Sequence, residues 1–245
     1  MKPELVDVIV SSLETYLNPQ VWTAAGITRV SEALAHGRLV VVHRALHEPF
    51  AERMFRCLDG FTDWELHESY GAIAAHDPDD PFHYQKHNIS DPRLFPRDLA
   101  LCHSVFGSAA TRRFVARLAG RSCDAGTSMS ASWYKAGDHS LPHNDRVALR
   151  GAVRQVGFVW HLTRGWRPEW GGALYWCPAN RYLSPAFNTL ILFRVDRESY
   201  HLVTQVSPYA EAKRLAINGW WLGKSGADED GGHDEPPAAS DIEVI

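Results

Sequence analysis

The chain is short of cysteine, of long apolar runs and of positive charge, and each shortage removes a class of function. Its four cysteines, Cys57, Cys102, Cys123 and Cys177, are scattered without a Cys-x-x-Cys step. That spacing argues against a disulfide framework and a zinc knuckle, and predicts buried or incidental thiols in a reducing compartment. No apolar run approaches the length of a membrane span, and the opening Met-Lys-Pro-Glu-Leu-Val-Asp has no signal-peptide core. The expectation is a cytoplasmic protein with no membrane partner. A formal charge of −4, with no lysine/arginine tract, gives nucleic acid no general attraction. Internal repeats are absent too, and oligomeric state has no signature.

What is present is ordinary for a soluble enzyme. The 245 residues, 45% hydrophobic and 22% charged, can bury one sizeable core. Leu5, Val6, Ile9, Val10, Leu13 and Leu17 recur at helical spacing, predicting an amphipathic helix over 4–17 stopped by Asn18-Pro19. Further helices are expected near 28–36, 49–58, 95–106 and 109–119, with a buried strand over 39–42. Residues 61–70 and 82–89 alternate aromatic and polar groups, predicting two strands around an Asp/Pro-rich loop at 77–81. After Gly120 the pattern turns to short strands as far as Trp221. Residues 224–245, rich in Gly, Asp, Glu and Pro, are too polar to bury anything and are expected to form a disordered acidic tail.

The chemistry gathers in the second half. His143 and Asp145 stand two apart, a spacing that puts both side chains on one face of a strand, and His201 lies well downstream. Two neutral imidazoles and one carboxylate make the facial set that non-haem Fe(II) oxygenases use, with the opposite face left open. In a chain with 13 histidines a lone His-x-Asp step is weak, so its surroundings decide. They run, in order, Tyr134-Lys-Ala-Gly-Asp138, His143-Asn-Asp145, Trp166-Arg-Pro-Glu-Trp-Gly-Gly172, His201-Leu-Val203 and Arg214-Leu-Ala-Ile-Asn-Gly-Trp220.

This order resembles the catalytic core of Fe(II)/2-oxoglutarate oxygenases of the prolyl-hydroxylase-like kind, nearest the branch that contains ribosomal-protein prolyl hydroxylases. The likeness covers roughly residues 125–222. One position departs from the pattern: the serine two places after the basic residue is Ala216 here. The resemblance implies Fe(II) on His143, Asp145 and His201, with 2-oxoglutarate and O2 as cosubstrates and ascorbate as a stimulant. It implies that Arg214 and Tyr134 hold the far carboxylate of the keto acid. The carboxylate of Asp145 separates the chain from related halogenases, in which a small residue there leaves room for chloride.

The expected fold is mainly β with supporting helices, a double-stranded β-helix (jelly roll) backed by helices on one sheet. Residues 1–223 would form a single domain, with support over 1–124 and a catalytic core over 125–223. In the strand 128–134, Ser128, Ser130, Ser132 and Tyr134 should face inward and leave volume for a ligand, while Met129 and Trp133 pack outward. The candidates for contact with substrate are Tyr84, Asn88, Arg146 and Trp160. Period two puts Tyr84, Lys86 and Asn88 on one strand face, with His83, Gln85 and His87 on the other. Arg150 is a further cation near the metal step, and His161 is expected to be a satisfied core histidine.

The reaction expected from the resemblance is hydroxylation of an unactivated C–H bond with release of succinate and CO2. Compact size, with no room for the second barrel often found in that branch, favours a small-molecule substrate such as an amino acid or biosynthetic intermediate. The alternative is a prolyl residue in a peptide or protein. Rival readings are a non-catalytic jelly-roll binding module and a cupin-like metal enzyme without 2-oxoglutarate. Against the first stands Arg214, since a guanidinium in an otherwise apolar strand needs an anion to meet it.

Overall fold

The computed structural model describes residues 11–70, 83–149, 151–224 and 241–245. Four α-helices precede most of the strands: α1 (Ala24–Ala35), α2 (Glu48–Asp59), α3 (Arg97–Gly107) and α4 (Ala109–Ala119). The side chain of Thr23 caps the start of α1, that of Ser108 caps α4, and Gly120 ends α4 in the left-handed conformation that an L side chain resists. None of these helices is long and apolar enough to cross a membrane.

The strands are β1 (Val40–Val42), β2 (Glu65–Tyr70), β3 (His83–Ile89), β4 (Gly126–Tyr134), β5 (His139–His143), β6 (Ala148–Leu149), β7 (Ala152–His161), β8 (Leu174–Trp176), β9 (Arg181–Leu183), β10 (Thr189–Arg194), β11 (His201–Val203), β12 (Arg214–Lys224) and β13 (Ile242–Val244). They form one antiparallel sheet in the order β13-β1-β10-β7-β12-β4-β3-β5-β11-β8-β9, with β2 on β3 and β6 on β7. The sheet curls back on itself. Trp176 of β8 and Phe193 of β10 are far apart in strand order, yet their ring centroids lie 5.3 Å apart. Leu174, Leu183, Ile191 and Leu39 join them in one apolar cluster, so the two ends of the sheet face each other as the two layers of a jelly roll.

Period two sorts the side chains between the layers. Along β12, Leu215, Ile217 and Trp221 face the helices, while Arg214, Ala216, Asn218 and Trp220 line the interior cavity. Along β7, Phe158 and Trp160 face the helices, where Phe106 of α3 stacks on Trp160 and on Trp221. Ser128, Ser130, Ser132 and Tyr134 of β4 line the cavity as expected, with Met129 and Trp133 packed on the helical side.

Two expectations fail. The helix expected over 4–17 is, among its described residues, only a 3₁₀ turn at Leu13–Tyr16, capped by the Ser12 side chain; residues 1–10 lie outside the described set. Leu17 instead bridges to Leu46, pulling the segment into extended backbone. The tail expected over 224–245 is not wholly unstructured. Lys224 completes β12, and Ile242–Val244 pairs with the open edge of β1, burying Ile242. An apolar Ile-x-Val step covers an edge strand's unpaired backbone groups, and that gain is invisible to composition. The loop at 77–81 and residues 225–240 lie outside the described set.

Candidate active site

β5 and β11 are neighbours, and their register sets His143 opposite His201. β5 ends at His143, so Asp145 sits in the following loop rather than on the same strand. There Asn144 holds the turn, its Nδ2 donating to the Arg197 carbonyl and its Oδ1 accepting from Arg146 N. The three side chains meet: their ligand atoms all lie within 4.8 Å of one another. Asp145 Oδ1 is 3.7 Å from His143 Nε2, and Oδ2 is 3.6 Å from His201 Nε2.

The outer contacts aim these groups. His143 Nδ1 faces the Leu141 carbonyl at 2.8 Å and His201 Nδ1 faces that of Ser199 at 2.9 Å. A carbonyl accepts only, so each Nδ1 carries the proton and each Nε2 turns a lone pair inward. Burial and the neighbouring His201 push His143 down to about 4, which keeps the imidazole neutral. Burial would raise the Asp145 carboxyl, but His201, His143 and Arg154 outweigh it and hold the group below its ordinary value. Trp220 Nε1 donates to Asp145 Oδ2 at 2.9 Å, and the Arg154 guanidinium reaches Oδ1 at 3.4 Å. Trp176 stacks along His201 and Phe193 meets its edge. Phe193 has room because residue 157 is glycine: a Cβ there would lie 2.4 Å from the ring's Cζ.

Beneath the triad a cavity of about 510 Å³ runs down to Arg214 and Tyr134, which are register partners on β12 and β4. Arg214 is 2% exposed, its Nε donates to the Gly172 carbonyl, and the guanidinium carbon lies 4.4 Å over the Tyr134 ring. Among the described residues no carboxylate lies within 4.0 Å of it. Burial lowers Arg214 to about 10 and raises the Tyr134 phenol to about 12, so near neutrality one stays charged and the other stays protonated.

The motif glycines and aspartate have structural reasons. Gly171 and Gly172 both have positive φ; a Cβ on the first would meet the Gln205 carbonyl oxygen at 2.1 Å, and one on the second the Arg214 side chain at 2.9 Å. The fully buried Asp138 accepts from His87, Gln85 and the backbone N–H of Lys135, tying the β4–β5 turn to β3.

His161 departs from expectation. It is fully buried, yet among the described residues neither ring nitrogen has a hydrogen-bond partner. It opposes Ala216 across the β7–β12 ladder, so its imidazole shares the interior face with Arg214, whose charge together with burial holds it neutral.

Of the expected substrate contacts, Tyr84 and Asn88 line the cavity, as does Lys86 between them, while His83, Gln85 and His87 take the other face. Trp160 does not. It is wholly buried on the helical side, stacked on Phe50 and Phe106 with Nε1 on Asn188, because its even place along β7 turns it away from the interior. Arg146 is not a cavity residue either; the chain bends at Asn144, and Val147 takes the wall instead. Arg150 lies outside the described residues. Trp220 and Arg154 were missed. Trp220 was within reach of the sequence, lying six residues from Arg214 on the same strand face. Arg154 was not, because a register shift between β7 and β12 at Trp221/Leu222 brings it round.

A family profile described as the 2OG-Fe(II) oxygenase superfamily matches residues 129–222, the stretch that carries the triad, Arg214 and Tyr134. Over that stretch, somewhat under half of the chain, the sequence is similar to the 2OG-Fe(II) oxygenase superfamily. It is 27% identical over 170 residues to the mouse prolyl 3-hydroxylase OGFOD1, covering 65% of this chain and 30% of that protein. It is 33% identical over 111 residues to prolyl 3-hydroxylase sudestada1 of Drosophila melanogaster, covering 39% and 20%. The chain thus spans under a third of the length of these curated relatives. Among solved structures, a Pseudomonas putida prolyl-4-hydroxylase superposes with a TM-score of 0.53 at 19% identity, over 80% of this chain and 97% of that one. A Trichoplax adhaerens prolyl hydroxylase, in complex with a hypoxia-inducible-factor peptide fragment, gives 0.57 at 19%, over 82% and 92%. These likenesses match the jelly-roll fold.

The donor set suits the cofactors of that superfamily. Two neutral nitrogens and one carboxylate oxygen suit Fe(II) and leave a net positive charge for a chelating dianion. Among the described residues, a buried guanidinium with no carboxylate beside it, and on the same sheet face a buried imidazole with no hydrogen-bond partner, suit the dianion's far end.

Proposed function

We propose that this chain hydroxylates a prolyl residue of a peptide or protein, holding Fe(II) with His143, Asp145 and His201 and 2-oxoglutarate with Arg214, Tyr134 and His161. The observation that carries the reading is a triad with inward lone pairs above a cavity floored by a cation that, among the described residues, has no acid partner. When bound, iron with 2-oxoglutarate and O2 supplies the oxidation: one oxygen atom enters the C–H bond, the other enters succinate, and CO2 is lost.

The residues do the rest. His143 and His201 present lone pairs from rings oriented by backbone carbonyls. Trp220 and Arg154 hold both oxygens of Asp145, so the carboxylate does not swing. Arg214 offers a charged fork to the distal carboxylate, and the protonated Tyr134 hydroxyl offers a neutral donor. His161 stands opposite the alanine that replaces the family serine, and as a neutral ring can donate the hydrogen bond that Ala216 cannot. Support for a prolyl target comes from the names of the curated relatives. The small-molecule reading rested on compactness, and compactness does not describe the pocket walls.

The test is mass spectrometry of proline-containing peptides incubated with the protein, Fe(II), ascorbate and 2-oxoglutarate. A gain of one oxygen on proline, matched by succinate, is expected. Product formed only from free amino acids would return the substrate to the small-molecule class.

His161→Phe separates the two roles of that histidine. Removing an imidazole that bonds to none of the described residues should leave the apo melting temperature unchanged or raised. Losing one charge-assisted hydrogen bond should weaken 2-oxoglutarate roughly ten- to a hundredfold by calorimetry. A lower melting temperature with unchanged affinity would make His161 structural.

A further inference from the structure

Charge in the cavity does not balance. Among the described residues its walls carry three fixed cations, Lys86, Arg154 and Arg214, against a single carboxylate, Asp145. Fe(II) and the 2-oxoglutarate dianion add no net charge between them, so the loaded cavity would keep an excess of two positive charges. Two of the cations have partners. In the reading above Arg214 would face the keto acid, and Arg154 lies against Asp145 and stacks 3.6 Å over Trp220.

Lys86 has no such partner. Among the described residues no carboxylate lies within 4.0 Å of its ammonium, which stands 5.7 Å from the centroid of the Tyr84 ring. It belongs to the Tyr84–Lys86–Asn88 face of β3, which forms the cavity wall toward the exposed Ser90. Burial, Arg154 and Arg214 all act against its charge and bring it to about 8, with Asp145 opposing them. An ammonium held there without a counter-ion is costly, and an anion arriving with the substrate would offset the cost.

We propose that the substrate presents a carboxylate to Lys86, so that the site selects an acidic group close to the carbon it oxidises. This rests on the hydroxylase reading above and narrows its substrate class. The carboxylate has two sources: an Asp or Glu beside the target in a peptide, or the α-carboxylate of the target residue itself.

The test measures binding rather than turnover, on the full chain loaded with Mn(II) and 2-oxoglutarate. One probe pair is the peptide Ac-Ala-Glu-Pro-Glu-Ala-amide and its Gln-for-Glu counterpart; the other is N-acetylproline and N-acetylprolinamide. Within at least one pair the acid should bind about ten- to a hundredfold more tightly than the amide. The preference should vanish in Lys86→Met and return in Lys86→Arg, which also controls for folding. A preference confined to the peptides assigns the carboxylate to a neighbouring residue, and one confined to N-acetylproline assigns it to the target. Equal binding of acid and amide in both pairs overturns the proposal. So does an acid preference that survives in Lys86→Met, or a loss in that variant that falls on 2-oxoglutarate instead. Succinate formation by the wild-type protein with Fe(II), measured separately, tests the oxygenase reading: its absence beside an intact acid preference would sink that reading and leave the Lys86 site standing.

Discussion

Arg214→Met is expected to weaken 2-oxoglutarate binding by two to three decades while leaving Mn(II) binding in its absence nearly unchanged. The guanidinium is 2% exposed and among the described residues has no acid partner, so it is placed to meet a carboxylate that has itself been stripped of water. Removing one member of a buried ion pair costs roughly 3–5 kcal/mol, because the charge left behind is uncompensated. Methionine keeps the aliphatic stem that packs beside Gly172, so the loss reports the guanidinium and its charge rather than the stem. The metal ligands belong to β5, β11 and the loop after β5, which is why their affinity should hold. Calorimetric titration under anaerobic conditions reads both numbers. Unchanged 2-oxoglutarate affinity would move the anchoring role elsewhere, and Lys213 is not a ready substitute: its ammonium is engaged with Asp59 and lies over the Trp133 ring, on the helical side.

Asp145→Ala should have the larger effect on the metal. It removes the only charged ligand and leaves the Trp220 N–H and the Arg154 guanidinium buried without their acceptor. Loss of an outer hydrogen-bond partner already costs roughly 10- to 100-fold in metal affinity, so loss of the ligand itself should exceed that range. Mn(II) affinity followed by electron paramagnetic resonance should fall by more than about 100-fold. Uncoupled succinate formation in the presence of Fe(II) should disappear with it. Asp145→Asn keeps the shape and the Trp220 acceptor, and should fall between the two. If Asp145→Ala held metal as well as the wild type, the convergence of the three side chains would have nothing to do with an ion.

The strands were readable because inward and outward faces differ in polarity. Ser128, Ser130 and Ser132 alternate with Met129 and Trp133, and Tyr84, Lys86 and Asn88 alternate with His83, Gln85 and His87, so period two sorts each set correctly. Trp160 misled for the opposite reason. Both faces of β7 are buried, and a tryptophan packs equally well against helices or beside a ligand, so its side of the sheet could not be told from its type. His161 was misjudged in the same strand. Whether a buried histidine is satisfied depends on neighbours from other strands, and here those neighbours are Ala216 and Thr189, neither of which bonds to the ring.

Order along the chain determined the class of chemistry: a metal-binding set, a distal cation and the turns that present them recur in a sequence that composition alone would not produce. Local periodicity likewise determined which residues share a face. Tertiary structure decided what those faces look at. The curl that brings β8 against β10, the register that sets His143 opposite His201, and the bulge that swings Arg154 to Asp145 are long-range pairings. The register and the bulge pair segments tens of residues apart, and the curl follows from the whole strand order rather than from the short stretch between Trp176 and Phe193. The same holds for the last strand, whose three residues gain order only because β1 leaves an edge for them.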